Sequence, residues 1–237
     1  MGKRIRRLIP ILLLAALILA FFVYTGDYYR ADAQALAALE SDGAAAVVRT
    51  SYGWFFDGPS EGTALIFYPG GKVEETAYAP FLHRLAAEGM DVCLVKMPFR
   101  LAVFGKNKAD AVMSQHSCAH WYVGGHSLGG AMAASYAADH GDALDGVVLC
   151  AAYPTQALDG RLTEISIYGS RDGVLNMEKT AAGRAFAPDN FYELVIQGGN
   201  HAQFGNYGPQ KGDGDAAVPS QQQQGDAVEF ILRSIEP

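Results

Sequence analysis

Gly125-His126-Ser127-Leu128-Gly129 decides how this chain folds. An apolar run, Trp121-Tyr122-Val123, precedes it, and an alanine-rich stretch from Gly130 to Ala138 follows it. The first has the pattern of a buried strand and the second that of a helix, so Ser127 falls at a sharp strand-to-helix turn, the context of a nucleophile elbow. Glycine two residues before and two after the serine answers a steric demand. A turn this tight holds the serine in a strained backbone conformation, and Cβ atoms at 125 and 129 would collide with the adjacent strand and helix. The hydroxyl is then held above the sheet at a helix N-terminus, where backbone N–H groups face any negative charge that develops. Glycine-rich turns before helices also occur for packing alone, so the flanking strand and helix carry the nucleophile assignment.

Working outward, residues 64–68, 91–97, 146–151, 164–168 and 191–196 read as short apolar strands. Helical patterns at 78–88, 107–115 and 175–184 lie among them, and a closing helix spans 222–234. Residues 45–57, with turn signals at Gly53 and Asp57-Gly58-Pro59, suggest an opening antiparallel hairpin. The alternation predicts an α/β fold: a mostly parallel, doubly wound sheet covered by helices on both faces, with ligands bound beyond the carboxyl ends of the strands, where the elbow points. Together these residues resemble the α/β-hydrolase superfamily over residues 45–235, and within it the small, nearly lidless bacterial hydrolases related to dienelactone hydrolases and carboxylesterases.

That resemblance implies a serine, acid, histidine order along the chain. A serine hydroxyl needs a base within hydrogen-bond reach and a third group to orient the base. Asp172 lies in Gly169-Ser170-Arg171-Asp172-Gly173 after one predicted strand, and His201 ends Gln197-Gly198-Gly199-Asn200-His201 after the last. Asp172 has a second reading as a turn former or helix cap, and His201 as a solvated loop histidine. His83, His116, His120, His126 and His140 do not follow the final strand, and Asp145 and Asp189 precede strands, at the wrong end of the sheet.

For the oxyanion hole the resemblance points to the N–H of Leu128, after the serine, and to a second donor in Pro69-Gly70-Gly71-Lys72. Gly71 is the donor by position, with Lys72 as a shift by one. Pro69 stands where the superfamily often has histidine, which leaves the backbone donor intact. The aromatic segment 202–214 is too long for an idle linker, so Phe204 and Tyr207 are expected to fold over the site as a pocket wall, or else to pack their own loop on the surface. Phe99 and Phe104 are candidates for the opposite wall. Gln221 to Gln224 reads as a helix start on the surface.

The chain has 237 residues, half of them apolar, enough for one large core. Its formal net charge is −7 even though Lys3, Arg4, Arg6 and Arg7 open it, so the body is more acidic still, which argues against a nucleic-acid partner. Cys93, Cys118 and Cys150 allow no reachable pairing and read as small buried apolar residues; no Cys/His spacing of the zinc kind is present, and the chemistry needs no metal or organic cofactor. Residues 8–25 form an uncharged apolar run long enough for a bilayer core of ~30 Å. The basic residues before it place the N-terminus in the cytoplasm and the body outside the cell membrane. Its length favours a retained single-pass signal anchor; cleavage would release the domain.

The expected organisation is an anchor at 1–26, a helical stalk at 27–44 and a hydrolase domain at 45–237. The expected function is ester hydrolysis through a Ser-His-Asp acyl-enzyme on a small-molecule substrate. A thioesterase, amidase or acyltransferase would use the same three residues, and a binding protein could keep the fold without the chemistry. The short segment between the elbow and Asp172 leaves little room for a lid, and an open site suits small or surface-presented esters.

Overall fold

Side chains that alternate between two separate cores define the sheet. On β3 (Thr63–Tyr68), Leu65 and Phe67 enter one apolar cluster while Ala64, Ile66 and Tyr68 enter the other. β4 (Asp91–Val95) divides Val92 and Leu94 from Cys93 and Val95 in the same way. Such strands are apolar throughout because both faces are covered. The structure, a computed structural model, describes residues 3–59 and 62–235.

The remaining strands are β1 (Ala46–Arg49), β2 (Gly53–Asp57), β5 (His120–His126), β6 (Gly146–Cys150), β7 (Thr163–Gly169) and β8 (Asn190–Ile196). They form one eight-stranded sheet in the order β1-β2-β4-β3-β5-β6-β7-β8. β1 and β2 pair as the expected antiparallel hairpin, β2 runs antiparallel to β4, and every other pairing is parallel. The first cluster is closed by α3 (Ala79–Ala87) and α7 (Ser220–Ile235), the second by α4 (Lys108–Met113) and α5 (Leu128–Asp139). α3 buries Phe81, Leu82 and Leu85 on one stripe, and such side chains each contribute roughly 1.5–3 kcal/mol when removed from water. A last helix, α6 (Met177–Gly183), lies between β7 and β8 in the chain. The three cysteines are free, and burial pushes the Cys93 thiol up to about 12.

α1 (Lys3–Gly26) contains a 19-residue apolar stretch, Leu8–Gly26, of mean hydropathy 2.7, almost wholly exposed and long enough to cross a membrane. The expected helical stalk after it is corrected: within 27–44 only α2 (Ala33–Ala37) is helical, capped by the Asp32 carboxylate, which accepts from the Ala35 N–H. The segment is a strap along the body. The Tyr29 N–H donates to the Lys72 carbonyl at 2.8 Å, the Glu74 N–H to the Tyr29 carbonyl at 2.9 Å, and the Asp32 N–H to the Asn206 carbonyl at 2.9 Å. These tertiary bonds outcompete the helix propensity of an alanine-rich stretch, and the small side chains permit the close approach, with Ala35 fully buried.

Glu164, near the amino end of β7, is buried, and one of its carboxylate oxygens has no partner among the described residues. Burial, and then the charge of Glu193 on β8, push its carboxyl up to about 7. The proton is thus held more tightly in the folded chain than in the unfolded one. Stability from this group is complete at acid pH and is lost as the pH rises toward 7. Glu164→Gln should therefore be more stable than the parent by an amount that widens from pH 5 to pH 8, reaching at most about 3 kcal/mol. Denaturant titrations at the two pH values check this, and a constant difference would refute it.

Candidate active site

The chain turns at Ser127 with φ 53° and ψ −122°, a conformation that side-chain-bearing residues seldom adopt. The turn is fixed from both sides: the Ser127 N–H donates to the Cys150 carbonyl at 2.9 Å, and the Ala131 N–H to the Ser127 carbonyl at 3.0 Å. The flanking glycines are required as expected. A Cβ at Gly125 would lie 2.7 Å from the Gly129 carbonyl carbon, and one at Gly129 would overlap the carbonyl oxygens of Tyr68 and Pro69. Strand, turn and helix are packed so closely that no methyl group fits between them.

Loops after β7 and β8 bring Asp172 and His201 together. His201 Nδ1 lies 2.8 Å from Asp172 Oδ2, and the two side chains are 1% and 0% exposed. The other oxygen, Oδ1, accepts from the N–H groups of Val174 at 2.8 Å and Leu175 at 2.7 Å. One carboxylate thus serves as turn former and as imidazole partner. An ionised carboxylate only accepts, so the imidazole proton sits on Nδ1 and the lone pair on Nε2. Nε2 is buried and has no hydrogen-bond partner among the described residues, the Ser127 hydroxyl included, an unusual state for a polar atom away from water. The His201 ring stands 4.4 Å from the ring of His126, the residue before Ser127.

A second carboxylate holds these loops. Asp213 Oδ1 accepts from the N–H groups of Gly173 and His201, both at 3.1 Å, and Oδ2 from the Ala202 N–H at 2.8 Å. The glutamines at the start of α7 lock the same loop from below. Gln223 exchanges two hydrogen bonds with the Asn200 backbone, at 2.9 and 2.8 Å, and Gln224 donates to the Gln203 carbonyl and to Asn206 Oδ1. This corrects the expected surface helix start: Gln223 and Gln224 are buried polar clamps.

In the loop after β3, the Gly70 N–H donates to the Tyr78 hydroxyl at 3.0 Å and the Lys72 N–H to the Arg100 carbonyl at 2.9 Å. The Gly71 N–H between them has no partner among the described residues. A Cβ on Gly71 would lie 2.9 Å from Leu128 Cδ2, so this loop is pressed against the residue after the serine. The Tyr78 hydroxyl also meets His126 Nδ1 at 2.9 Å. Having accepted from Gly70, it donates its own proton there. Burial, and then the neighbouring His201, hold the His126 imidazole well below its usual range, so it stays neutral and accepts.

The four aromatic candidates divide. Phe204 is fully buried 5.6 Å from the His126 ring, and Tyr207 packs against Tyr29 and Tyr78. They lie beneath the site rather than folding over it, because the segment after His201 is drawn into the core by Gln224 and the strap. Phe99 and Phe104 stay about half exposed beside the loop carrying Gly71 and meet Phe21 of α1 edge-on, at 5.0 and 6.0 Å. Among the described residues no group of three or more His, Cys, Asp or Glu is placed to hold a metal ion. Tyr78, His126 and Asp213 are the site residues that the motif pattern does not single out.

A parallel sheet with a strained serine and a buried acid–imidazole pair at its carboxyl edge defines an α/β-hydrolase architecture. The sequence matches the Alpha/beta hydrolase family over residues 64–225, and the chain belongs to that family. A search of curated proteins finds no match. Among solved structures, the chain is similar to TT1662 from Thermus thermophilus at 14% identity, covering 81% of this chain and 99% of that one, with a TM-score of 0.59. A predicted CIB-like hydrolase from Thermoplasma acidophilum matches at 12% identity over 80% of this chain and 99% of its own, TM-score 0.58. Est1E from Butyrivibrio proteoclasticus matches at 15% identity, 81% and 99% coverage, TM-score 0.57. At these identities the likeness is one of fold.

Proposed function

We propose that this protein is a membrane-anchored, extracytoplasmic serine hydrolase that cleaves carboxylic esters through an acyl-enzyme on Ser127. The observation that carries the proposal is the His201 imidazole: its Nδ1 is fixed on Asp172 while its buried Nε2 has no partner among the described residues. A base so arranged has its lone pair free for a proton.

His201 Nε2 takes the hydroxyl proton as Ser127 Oγ attacks the ester carbonyl, and Asp172 stabilises the imidazolium that forms. The N–H groups of Leu128 and Gly71 hold the oxyanion; Gly71 qualifies and Lys72 does not, because the Lys72 N–H is already bonded to Arg100. The imidazolium returns its proton to the leaving alcohol. Water, deprotonated by the same base, then releases the acid and restores the serine.

Two features of the surroundings support the anchor and the donor loop. The apolar stretch of α1 is long enough to cross a bilayer, and the basic residues before it favour a cytoplasmic N-terminus. Tyr78 positions the donor loop through the Gly70 N–H. In Tyr78→Phe, Gly70 N–H and His126 Nδ1 lose their partner. This should cost about 1–3 kcal/mol of stability and lower kcat roughly tenfold with KM little changed. Steady-state kinetics and a denaturant melt check both numbers.

The test of the reaction itself is a fluorophosphonate probe, followed by p-nitrophenyl esters, thioesters and anilides of matched acyl length on the full chain in detergent. Labelling together with fastest turnover of the oxygen esters is the expected result. Faster turnover of thioesters or anilides would move the assignment to a thioesterase or amidase, and absence of labelling in folded protein would favour a binding role.

A further inference from the structure

Outside α1, eight large apolar side chains are exposed among the described residues, and five of them sit on segments that follow β4 and β7, around the candidate site. These are Phe99, Val103, Phe104, Val174 and Met177, between 38% and 54% exposed. Exposed apolar groups on both sides of one site are uncommon in a soluble enzyme that has no use for them. The Phe99 and Phe104 end of this rim is continuous with the span. Phe99 lies 5.0 Å from Phe21 and 6.2 Å from Phe22, ring to ring, and Phe104 lies 6.0 Å from Phe21.

The end of α1 and the residues just after it carry the composition of a membrane interface. Tyr24 receives the Lys72 ammonium over its ring at 4.4 Å, and Tyr28 receives the Arg100 guanidinium at 3.4 Å. Tyrosine with lysine or arginine is the composition expected at the headgroup level. Tyr29, three residues beyond the end of α1, is bonded to Lys72 and Glu74, so the chain between can reach at most about 11 Å. Lys72 follows Gly71, the proposed oxyanion donor. The strap therefore ties the site to the point where the helix leaves the bilayer.

We infer that the apolar rim rests on the outer surface of the bilayer and that the substrate is an ester carried by a membrane amphiphile. Its carbonyl reaches Ser127 past Phe99 and Phe104 while its chain stays in the lipid. This rests on the hydrolase reading above and specifies its substrate class. The rim and the span do the work that a lid does in an enzyme that extracts lipid into solution. In the reaction, Ser127 Oγ bonds to the acyl carbon as the ester C–O bond breaks, the alcohol leaves with the proton from His201, and water yields the free acid. The product bearing the long chain remains in the membrane.

The experiment uses the full chain reconstituted in phosphatidylcholine vesicles and compares two substrates: a long-chain diacylglycerol ester in the same vesicles, and water-soluble p-nitrophenyl acetate. Turnover of both, with kcat/KM at least tenfold higher for the vesicle-borne ester, is expected. In Phe99→Ser/Phe104→Ser, the ratio of lipid rate to soluble-ester rate should fall at least tenfold. Turnover of the acetate with none of the lipid ester would overturn the inference and leave the hydrolase reading intact; loss of both rates in equal proportion in the variant would also overturn it. Turnover of neither substrate, with no fluorophosphonate labelling, would sink the hydrolase reading itself.

Discussion

Ser127→Ala should abolish fluorophosphonate labelling and lower ester turnover at least about ten-thousand-fold, while the thermal midpoint stays where it was. The loss is large because, in the proposed mechanism, Ser127 Oγ is the protein atom that bonds to the acyl carbon. The unchanged midpoint follows from the backbone. Alanine at 127 meets the same φ of 53° as serine, so no strain is released and no cavity opens in the core. Ser127→Gly should also be inactive but should melt higher, since glycine adopts that conformation freely and the relief is about 1 kcal/mol. Measuring both variants separates strain held for function from stability. If alanine kept more than a hundredth of the turnover, Ser127 would not be the nucleophile.

The elbow was legible in the sequence because its constraints are local. Glycines at 125 and 129, a strand before and a helix after are all set within a few residues, and the overlap of a Gly129 Cβ with the Tyr68 and Pro69 carbonyls is the physical form of that pattern. The sheet was legible for a related reason, since strands buried on both faces must be apolar throughout. Asp172 and His201 were readable only through their place after strands. The pairing between them depends on Asp213, whose bonds to the Gly173, His201 and Ala202 N–H groups join two loops, and no periodicity marks such a residue. Gln223 and Gln224 misled for the opposite reason. Glutamine beside glutamine has the composition of a solvated helix face, and it is the backbone of Asn200 and Gln203 and the side chain of Asn206, brought in after β8, that make burial favourable. The strap failed on propensity: alanines that favour helix in isolation lie here against a body that offers better hydrogen bonds. In each case the deciding partner is remote in the chain.

Asp172→Asn tests orientation with the fold held constant. The native Oδ1 accepts from Val174 and Leu175 N–H, so an asparagine would keep its carbonyl oxygen there and turn its amide NH2 toward His201 Nδ1. An amide donates where the carboxylate accepted. The imidazole must then present a lone pair at Nδ1 and carry its proton on Nε2, the atom that should receive the Ser127 proton. The expected result is a fall in kcat of about ten-thousand-fold with KM nearly unchanged, the size seen when a serine-protease triad suffers the same exchange. The thermal midpoint should drop only slightly, because both backbone bonds to residue 172 survive. Asp172→Ala removes those bonds too, so it should lose comparable activity and also about 1–3 kcal/mol of stability. The tautomer itself is observable: nitrogen-15 shifts of the His201 ring should place the proton on Nδ1 in the parent and on Nε2 in Asp172→Asn. If the proton stayed on Nδ1 in the variant while activity vanished, the carboxylate would act through its charge rather than by fixing the ring, and the orienting role assigned to it would be wrong.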